Sequence, residues 1–247
     1  TVQNCSFILG PATAAFEQAY ASFCGVDHCV GVSNGTDALT LALKCLDLKP
    51  GDEVITTPHT FGATAEAIGH LGARIVFADV EEDYLTLDSA RVQEKVTDRT
   101  RVIMPVHIYG HPADMDPLKE IAQASGAALI EDAAQAQGAR YKGEVVGSLG
   151  RAGCFSFYPG KSLGAYGDAG GITTSDEAMA TRMRSLRNHG QIAGGPSWLA
   201  RERSLRAIVP STVERRSGFD LRSAHRAFPT SRRARRARSL ARSGHSA

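Results

Sequence analysis

A lysine and a carboxylate stand out chemically, because each follows a run of apolar residues. Lys161 comes shortly after the apolar segment 153–158, and a glycine-rich run follows it. Asp132 ends a second apolar segment, 127–132. A lysine at the end of a buried strand can form a Schiff base with an aldehyde. Pyridoxal phosphate (PLP) needs such a lysine for its aldehyde and an acid for its ring nitrogen, so the pair favours PLP chemistry. The alternative for Lys161 is an ordinary loop lysine.

The position of Asp132 carries a physical demand of its own. A carboxylate at the end of an apolar strand is costly to bury unless it is paired. A protonated pyridine nitrogen would pair it and would keep the ring electron-withdrawing. Gln135, three residues later, could donate to the ring hydroxyl. The alternative is that Asp132 only caps the next element.

The segment 33–39 predicts an anion site where a strand passes into a helix. Gly35 would allow a close approach of the backbone, and Thr36 adds a hydroxyl. The free N–H groups at a helix start favour negative charge, so a phosphate fits here. The alternative is a simple turn in which Asn34 and Thr36 act only as helix caps.

Two further residues complete the predicted cofactor site. Phe61 begins a segment that follows a strand, where an aromatic ring could stack on a planar cofactor, or could simply belong to the core. Ser156, on the strand that leads to Lys161, could reach the phosphate, or could be a small packing residue.

The elements that must position these residues alternate along the chain. Apolar, β-branched segments predict strands, and amphipathic segments between them predict helices, two of which start after the cap residues Asp88 and Asp176. The strands are 29–33, 53–57, 74–80, 101–107, 127–132, 153–158 and 171–174, and the helices are 36–46, 63–71, 89–96, 117–124 and 177–187. This alternation predicts an α/β fold with a mostly parallel sheet covered by helices on both faces. Ligands of such sheets bind at the carboxyl ends of the strands, where the candidate residues fall.

Bulk properties limit the class of protein. No apolar run approaches the ~18 residues of a membrane span, and no signal peptide is visible, so we expect a cytoplasmic protein. The five cysteines are odd in number and form no CxxC pair, which favours reduced thiols over disulfides or a metal site. The chain starts with Thr1 instead of Met, so we expect the N-terminus to be incomplete.

The composition changes abruptly near residue 196. Residues 196–247 hold 13 arginines, no lysine and three acids, a net charge of +10, whereas residues 1–195 carry −8 of the total of +2. Such an arginine- and serine-rich tail cannot bury enough apolar surface to fold. We therefore expect a large domain over 1–195 and a tail over 196–247 that is disordered or translated out of frame. Reading the coding DNA in the other two frames tests the second possibility.

Seven motifs in register resemble those of the DegT/DnrJ/EryC1/StrS family of PLP-dependent sugar aminotransferases. The resemblance extends over about residues 7–191, three-quarters of the chain. The matching pieces are Gly10-Pro11 with Phe16-Glu17, Ser33–Leu39, Gly51–Ile55, Pro105–Gly110 with Pro112–Asp116, Glu131–Gln135, Phe155–Leu163 and Arg187–Gly190.

The resemblance implies a type I PLP fold and a role for each candidate residue. Lys161 matches the Schiff-base lysine, Asp132 the partner of the ring nitrogen and Gln135 the contact to the ring oxygen. Gly35, Thr36 and Ser156 match the phosphate site, and Phe61 matches the stacking aromatic. The implied reaction transfers an amino group, usually from glutamate, to a nucleotide-linked keto sugar, in a homodimer with shared active sites.

The sequence departs from the family at two places. Gln137 stands where the family often has histidine, which we expect to affect substrate choice and not the PLP scaffold. Nothing after Ala193 matches, so the small C-terminal domain is expected to be absent. A dehydratase branch carries histidine in place of the lysine, so Lys161 favours transamination.

Three alternatives stay open at this point. The first is another type I PLP reaction, by a dehydratase or an aromatic amino-acid synthase. The second is a truncated, non-catalytic remnant. The third is a tail that binds nucleic acid through its charge, which is the weakest because the tail lacks interleaved aromatic residues and a known binding fold.

Overall fold

A computed structural model describes residues 8–191. The predicted boundary at residue 196 and the tail beyond it lie outside these residues, so they stay predictions. Within the described range, no helix combines the length and the apolar character needed to cross a membrane.

The described chain alternates helices and strands. The α-helices are α1 (Pro11–Cys24), α2 (Gly35–Lys44), α3 (Ala63–His70), α4 (Ser89–Lys95), α5 (Met115–Ser125) and α6 (Glu177–Arg187). The strands are β1 (His28–Val32), β2 (Glu53–Thr56), β3 (Arg74–Phe77), β4 (Thr100–Ile103), β5 (Ala128–Asp132), β6 (Arg140–Tyr141), β7 (Glu144–Val145), β8 (Ala152–Ser156) and β9 (Gly170–Thr174). A 3₁₀ turn covers Ile108–Gly110.

Seven strands form one sheet in the order β1-β9-β8-β5-β4-β2-β3. The pairs β2–β3, β2–β4, β4–β5 and β5–β8 are parallel, and β9 is antiparallel to both of its neighbours. Six of the seven strands therefore point the same way. Their carboxyl ends meet at one edge, as the sequence predicts.

The sheet is buried on both faces. Val54, Val102 and Ile130 belong to one apolar cluster, which includes residues of α2, α3 and α6. The next residue on β2 and on β4, Ile55 and Ile103, belongs to a second cluster with residues of α1, α4 and α5. Because successive strand residues face opposite sides, helices cover both faces. The predicted α/β fold is confirmed.

The predicted elements are present, with differences at their ends. The caps are confirmed, because the carboxylate of Asp88 accepts from Ala90 N–H at 2.8 Å and that of Asp176 from Met179 N–H at 2.9 Å. The sequence interpretation missed α1 and the β6–β7 hairpin. It also did not foresee the reversal of β9. A 13-residue connection without a helix (157–169) joins β8 to β9, and such a link suits an antiparallel pair.

Candidate active site

A cavity of about 330 Å³ lies at the edge where the parallel strands end. This volume is in the range of small-molecule and cofactor sites. The structure brings all seven predicted site residues to its wall, and we call it the strand-end cavity. Those residues are Gly35, Thr36, Phe61, Asp132, Gln135, Ser156 and Lys161.

The start of α2 forms one end of the cavity. Asn34 caps the helix, because its Oδ1 accepts from Asp37 N–H at 2.8 Å, and it also lines the cavity. The first N–H groups of a helix, here those of Gly35 and Thr36, have no partner inside the helix. A Cβ on residue 35 would lie 2.7 Å from Ser156 Cβ, closer than real side chains allow. Glycine is therefore required for the backbone of α2 to meet β8. At this contact, the N–H groups of Gly35 and Thr36 and the Ser156 hydroxyl are suited to bind an anion.

Asp132 lies at the end of β5 and is 5% exposed. Thr64 Oγ1 donates to its Oδ2 at 2.7 Å, and Ala134 N–H donates to its Oδ1 at 3.2 Å. Burial raises the pKa of Asp132, and these two hydrogen bonds and the nearby His107 and Lys161 oppose the rise. Asp132 thus caps the following turn, as the alternative proposed, and also lines the cavity. A carboxyl group in this state fits a cationic ring nitrogen, which would supply the missing positive charge.

Phe61 and Gln135 are far apart in the sequence, but both line the cavity. The Phe61 side chain is 72% exposed, so the interpretation of it as a core residue is wrong. Gln135 Oε1 accepts from Tyr109 N–H at 2.9 Å. Because an N–H group must meet the amide oxygen, the Gln135 NH₂ group remains the donor for other partners.

Lys161 lies on the loop between β8 and β9. Its N–H donates to Tyr158 C=O at 2.8 Å, and Ala165 N–H donates to Phe157 C=O at 2.7 Å, which makes the loop compact. The side chain is half-buried and lines the cavity. Lys161 is therefore a loop lysine whose side chain is directed to the predicted site.

Two residues near the cavity escaped the sequence analysis in part. Thr64 is buried and bonds Asp132, and its spacing of one helical turn from Thr60 is the only local signal. Gln137 Nε2 donates to Ser156 C=O at 2.5 Å and to Ala134 C=O at 3.2 Å. The Gln137 amide thus joins the turn after Asp132 to the end of β8. The expectation that the change from histidine affects substrate choice and not the PLP scaffold stays a prediction.

Comparison with known proteins places this chain in a family. The profile of the DegT/DnrJ/EryC1/StrS aminotransferase family matches residues 1–202. The dTDP-3-amino-3,4,6-trideoxy-alpha-D-glucose transaminase of Streptomyces venezuelae is 50% identical over 184 residues, which are 74% of this chain and 48% of that protein. The UDP-N-acetyl-3-dehydro-alpha-D-glucosamine 3-aminotransferase of Acidithiobacillus ferrooxidans is 49% identical over 189 residues, 76% of this chain and 51% of that protein. The chain spans about half the length of the curated relatives it matches.

Solved structures agree with the fold. S. venezuelae DesV, in complex with a ketimine intermediate, superposes with a TM-score of 0.72 at 50% identity, covering 74% of this chain and 49% of that chain. Bacillus subtilis NtdA, with bound cofactor PMP, gives a TM-score of 0.71 at 31% identity, covering 76% of this chain and 42% of that chain. Aminotransferases of the matched family depend on PLP, the cofactor that the residues of the strand-end cavity fit. On the profile match and these similarities, the chain belongs to the DegT/DnrJ/EryC1/StrS aminotransferase family.

Proposed function

We propose that this chain binds PLP in the strand-end cavity and carries the cofactor half of an aminotransferase that acts on a nucleotide-linked keto sugar. The observation that carries the proposal is the convergence of all seven predicted residues on one cavity. The names of the two relatives, one acting on a dTDP-sugar and one on a UDP-sugar, support a nucleotide sugar as the acceptor. Glutamate is the proposed amino donor.

Each residue has a proposed role. PLP, when bound, supplies an aldehyde and an electron-withdrawing ring. Lys161 Nζ would hold the aldehyde carbon of PLP and, as a free amine, would carry the proton between the substrate carbon and the cofactor carbon. The Asp132 carboxylate holds the proton on the ring nitrogen, and Gln135 donates to the ring oxygen. Gly35 N–H, Thr36 and Ser156 bind the phosphate, and Phe61 stacks on the ring.

The oligomeric state and the cellular location are also part of the proposal. We propose a homodimer in the cytoplasm, in agreement with the shared active sites that the family resemblance implies. Sedimentation of the purified chain tests the dimer: a mass of one chain at micromolar concentration would contradict it.

A labelling experiment tests the cofactor site directly. The purified chain is mixed with PLP, reduced with borohydride and digested, and the peptide that carries the label is identified by mass spectrometry. We expect the label on Lys161 and its loss in Lys161→Ala. Lys95→Ala, which removes an exposed lysine of α4, is the matched control and should keep the label. A folded chain that takes up no label would contradict the proposed cofactor site and favour a non-catalytic remnant.

The acceptor and donor are tested separately. Incubation with glutamate and either a dTDP-linked or a UDP-linked keto sugar should yield an amino sugar and 2-oxoglutarate, detected by mass spectrometry. Loss of a hydroxyl group as water, or formation of an aromatic amine from a cyclic ketone, would instead favour one of the other PLP reactions.

A further inference from the structure

We infer that Thr64 is a positioning residue that orients the Asp132 carboxylate toward the cofactor ring, and that Thr60 supports it through a chain of hydroxyl groups. This inference rests on the proposed function, in which Asp132 binds the ring nitrogen. It assigns a task to two threonines that are not among the seven predicted site residues.

The hydroxyl chain is short and well formed. Thr60 Oγ1 and Thr64 Oγ1 lie 2.7 Å apart, and Thr64 Oγ1 lies 2.7 Å from Asp132 Oδ2. Thr64 is fully buried, whereas Thr60 is half-buried and lines the cavity. The chain therefore runs from the cavity wall to the carboxyl group.

The charge of Asp132 decides the direction of the chain. An ionised carboxylate can only accept, so Thr64 must donate its single proton to Asp132. Thr64 then has only acceptor capacity left, and Thr60 must donate to it. A protonated Asp132 can donate to Thr64 instead, which allows the chain to reverse. The two hydroxyl groups can thus match either state of the acid, but the bond to the charged carboxylate is the stronger one, so Thr64 lowers the pKa of Asp132.

The start of α3 connects these hydroxyl groups to the aromatic side chain that lines the cavity. Thr60 and Thr64 flank Phe61, and Thr64 N–H donates to Phe61 C=O at 3.1 Å. The same turn therefore presents the aromatic ring to the cavity and the hydroxyl groups to Asp132. Threonine is β-branched, so its χ1 is restricted and its hydroxyl group has few alternative positions in this turn.

The contact matters because Asp132 has few donors. Among the described residues, its carboxyl oxygens accept from Thr64 Oγ1 and from Ala134 N–H. The titratable groups near it are His107, Lys161 and Cys154. Without the Thr64 hydroxyl, a single backbone N–H would hold the carboxylate while the cofactor binds.

Two variants of Thr64 separate positioning from packing. Thr64→Val keeps the shape and removes the hydroxyl, whereas Thr64→Ser keeps the hydroxyl. In the cofactor-free 247-residue chain, the pKa of Asp132 is followed by carboxyl-carbon NMR, because loss of a donor to the charged form raises the pKa of an acid. We expect a higher pKa in Thr64→Val and a return toward the parent value in Thr64→Ser.

The affinity for PLP gives a second readout. A hydrogen bond to a charged group corresponds to a change of about tenfold or more in a binding constant, so we expect PLP to bind Thr64→Val about tenfold more weakly by fluorescence titration. Thr60→Val should show a smaller loss, because Thr64 can still donate. Thr100→Val is the matched control: this threonine is buried, its hydroxyl accepts from Thr97 N–H at 2.9 Å, and it starts β4 at the opposite end of the strand.

The outcomes distinguish the two proposals. Parent-like Asp132 pKa and PLP affinity in Thr64→Val, or a failure of Thr64→Ser to restore them, would overturn the inference. If the parent chain itself does not bind PLP, the proposed function fails, and the pKa comparison still decides whether Thr64 governs Asp132. If Thr64→Val does not fold, Thr60→Val and Thr64→Ser decide the matter. An unchanged Asp132 pKa in Thr60→Val would overturn the proposed chain of hydroxyl groups.

Discussion

Glu131 and Asp132 are neighbours on β5 and are both buried, yet their surroundings differ sharply. Glu131 accepts four hydrogen bonds, from His107 Nε2 and from the N–H groups of Gly147, Leu149 and Gly150, at 2.7 to 3.0 Å. We call these five residues the Glu131 network. Within residues 8–191, Asp132 accepts from one hydroxyl and one N–H group, and it lines the cavity.

The difference separates a carboxylate that protein donors satisfy from one that lines the cavity with fewer donors. His107 Nδ1 accepts from Ala113 N–H at 3.1 Å, which places the ring proton on Nε2, directed at Glu131. The Glu131 network therefore fixes the 147–150 turn and the segment after β4 without any ligand. Asp132, by contrast, keeps capacity for another positive or donor group. We expect substitutions in the network to change folding and substitutions in the cavity to change cofactor binding.

Glu131→Gln should give the largest loss of stability. Each carboxylate oxygen of Glu131 accepts hydrogen bonds from two N–H groups. The NH₂ group of the introduced glutamine would therefore face two donors in either orientation of the amide. Leaving such buried groups unpaired costs about 3 kcal/mol or more of unfolding free energy. Urea denaturation of the cofactor-free chain measures it. Glu66→Gln, an exposed glutamate on α3, should change stability by less than ~0.5 kcal/mol.

An equal stability of Glu131→Gln and the parent would remove the contrast between the two carboxylates. The PLP label on the folded fraction of this variant should still appear on Lys161, since the network does not line the cavity.

Gly35→Ala should have the next largest effect and should act on the cavity. The new methyl would lie 2.7 Å from Ser156 Cβ and 3.4 Å from Ser156 Cα, so α2 or β8 must shift. Overpacking of this kind costs about 1–3 kcal/mol, and it should also weaken PLP binding by disturbing the phosphate site. Gly69→Ala is the matched control, because this helical glycine has open space around its Cα and alanine is the better helix former. Similar unfolding curves for the two variants would contradict the close contact.

The sequence was sufficient to predict where the cavity residues meet. Short apolar segments indicated the parallel strands, and the carboxyl ends of such strands lie at the same edge of the sheet. Asp132 and Ser156 sit at adjacent strand ends, and the start of α2 follows the end of β1. The expected roles of these residues were argued from their types and positions, and the family resemblance implied the same roles. Helix α1 was missed although Pro11 at its first position and Gly25, with φ of 74° after its last, are ordinary end signals.

Contacts between distant segments could not be predicted in the same way. Thr64 bonds a carboxyl group 68 positions later, and Gln137 bonds a carbonyl 19 positions later. Both depend on how helices and turns pack after the sheet forms, and neither residue type has a periodic signature. Burial of Asp132 was foreseeable from its strand, but the donors that partly satisfy it were not.

Asp132→Asn should produce the smallest change in stability, opposite in sign to that of Glu131→Gln. Burial raises the pKa of Asp132 in the folded chain, so over a range starting near the unfolded value of ~3.9 the folded state holds a proton that the unfolded state has lost. Stability therefore falls as pH rises through this window and stays lower above it.

Asparagine cannot ionise, and its NH₂ group can donate to Thr64 Oγ1 while its oxygen accepts from Ala134 N–H. We expect the cofactor-free variant to lose this pH dependence and to be the more stable chain at neutral pH, although it binds PLP more weakly. Unfolding free energies from about pH 4 to neutrality, with the exposed Asp98→Asn as control, decide the point. A parent-like pH profile in Asp132→Asn would mean that Asp132 is as well satisfied as Glu131 without a ligand.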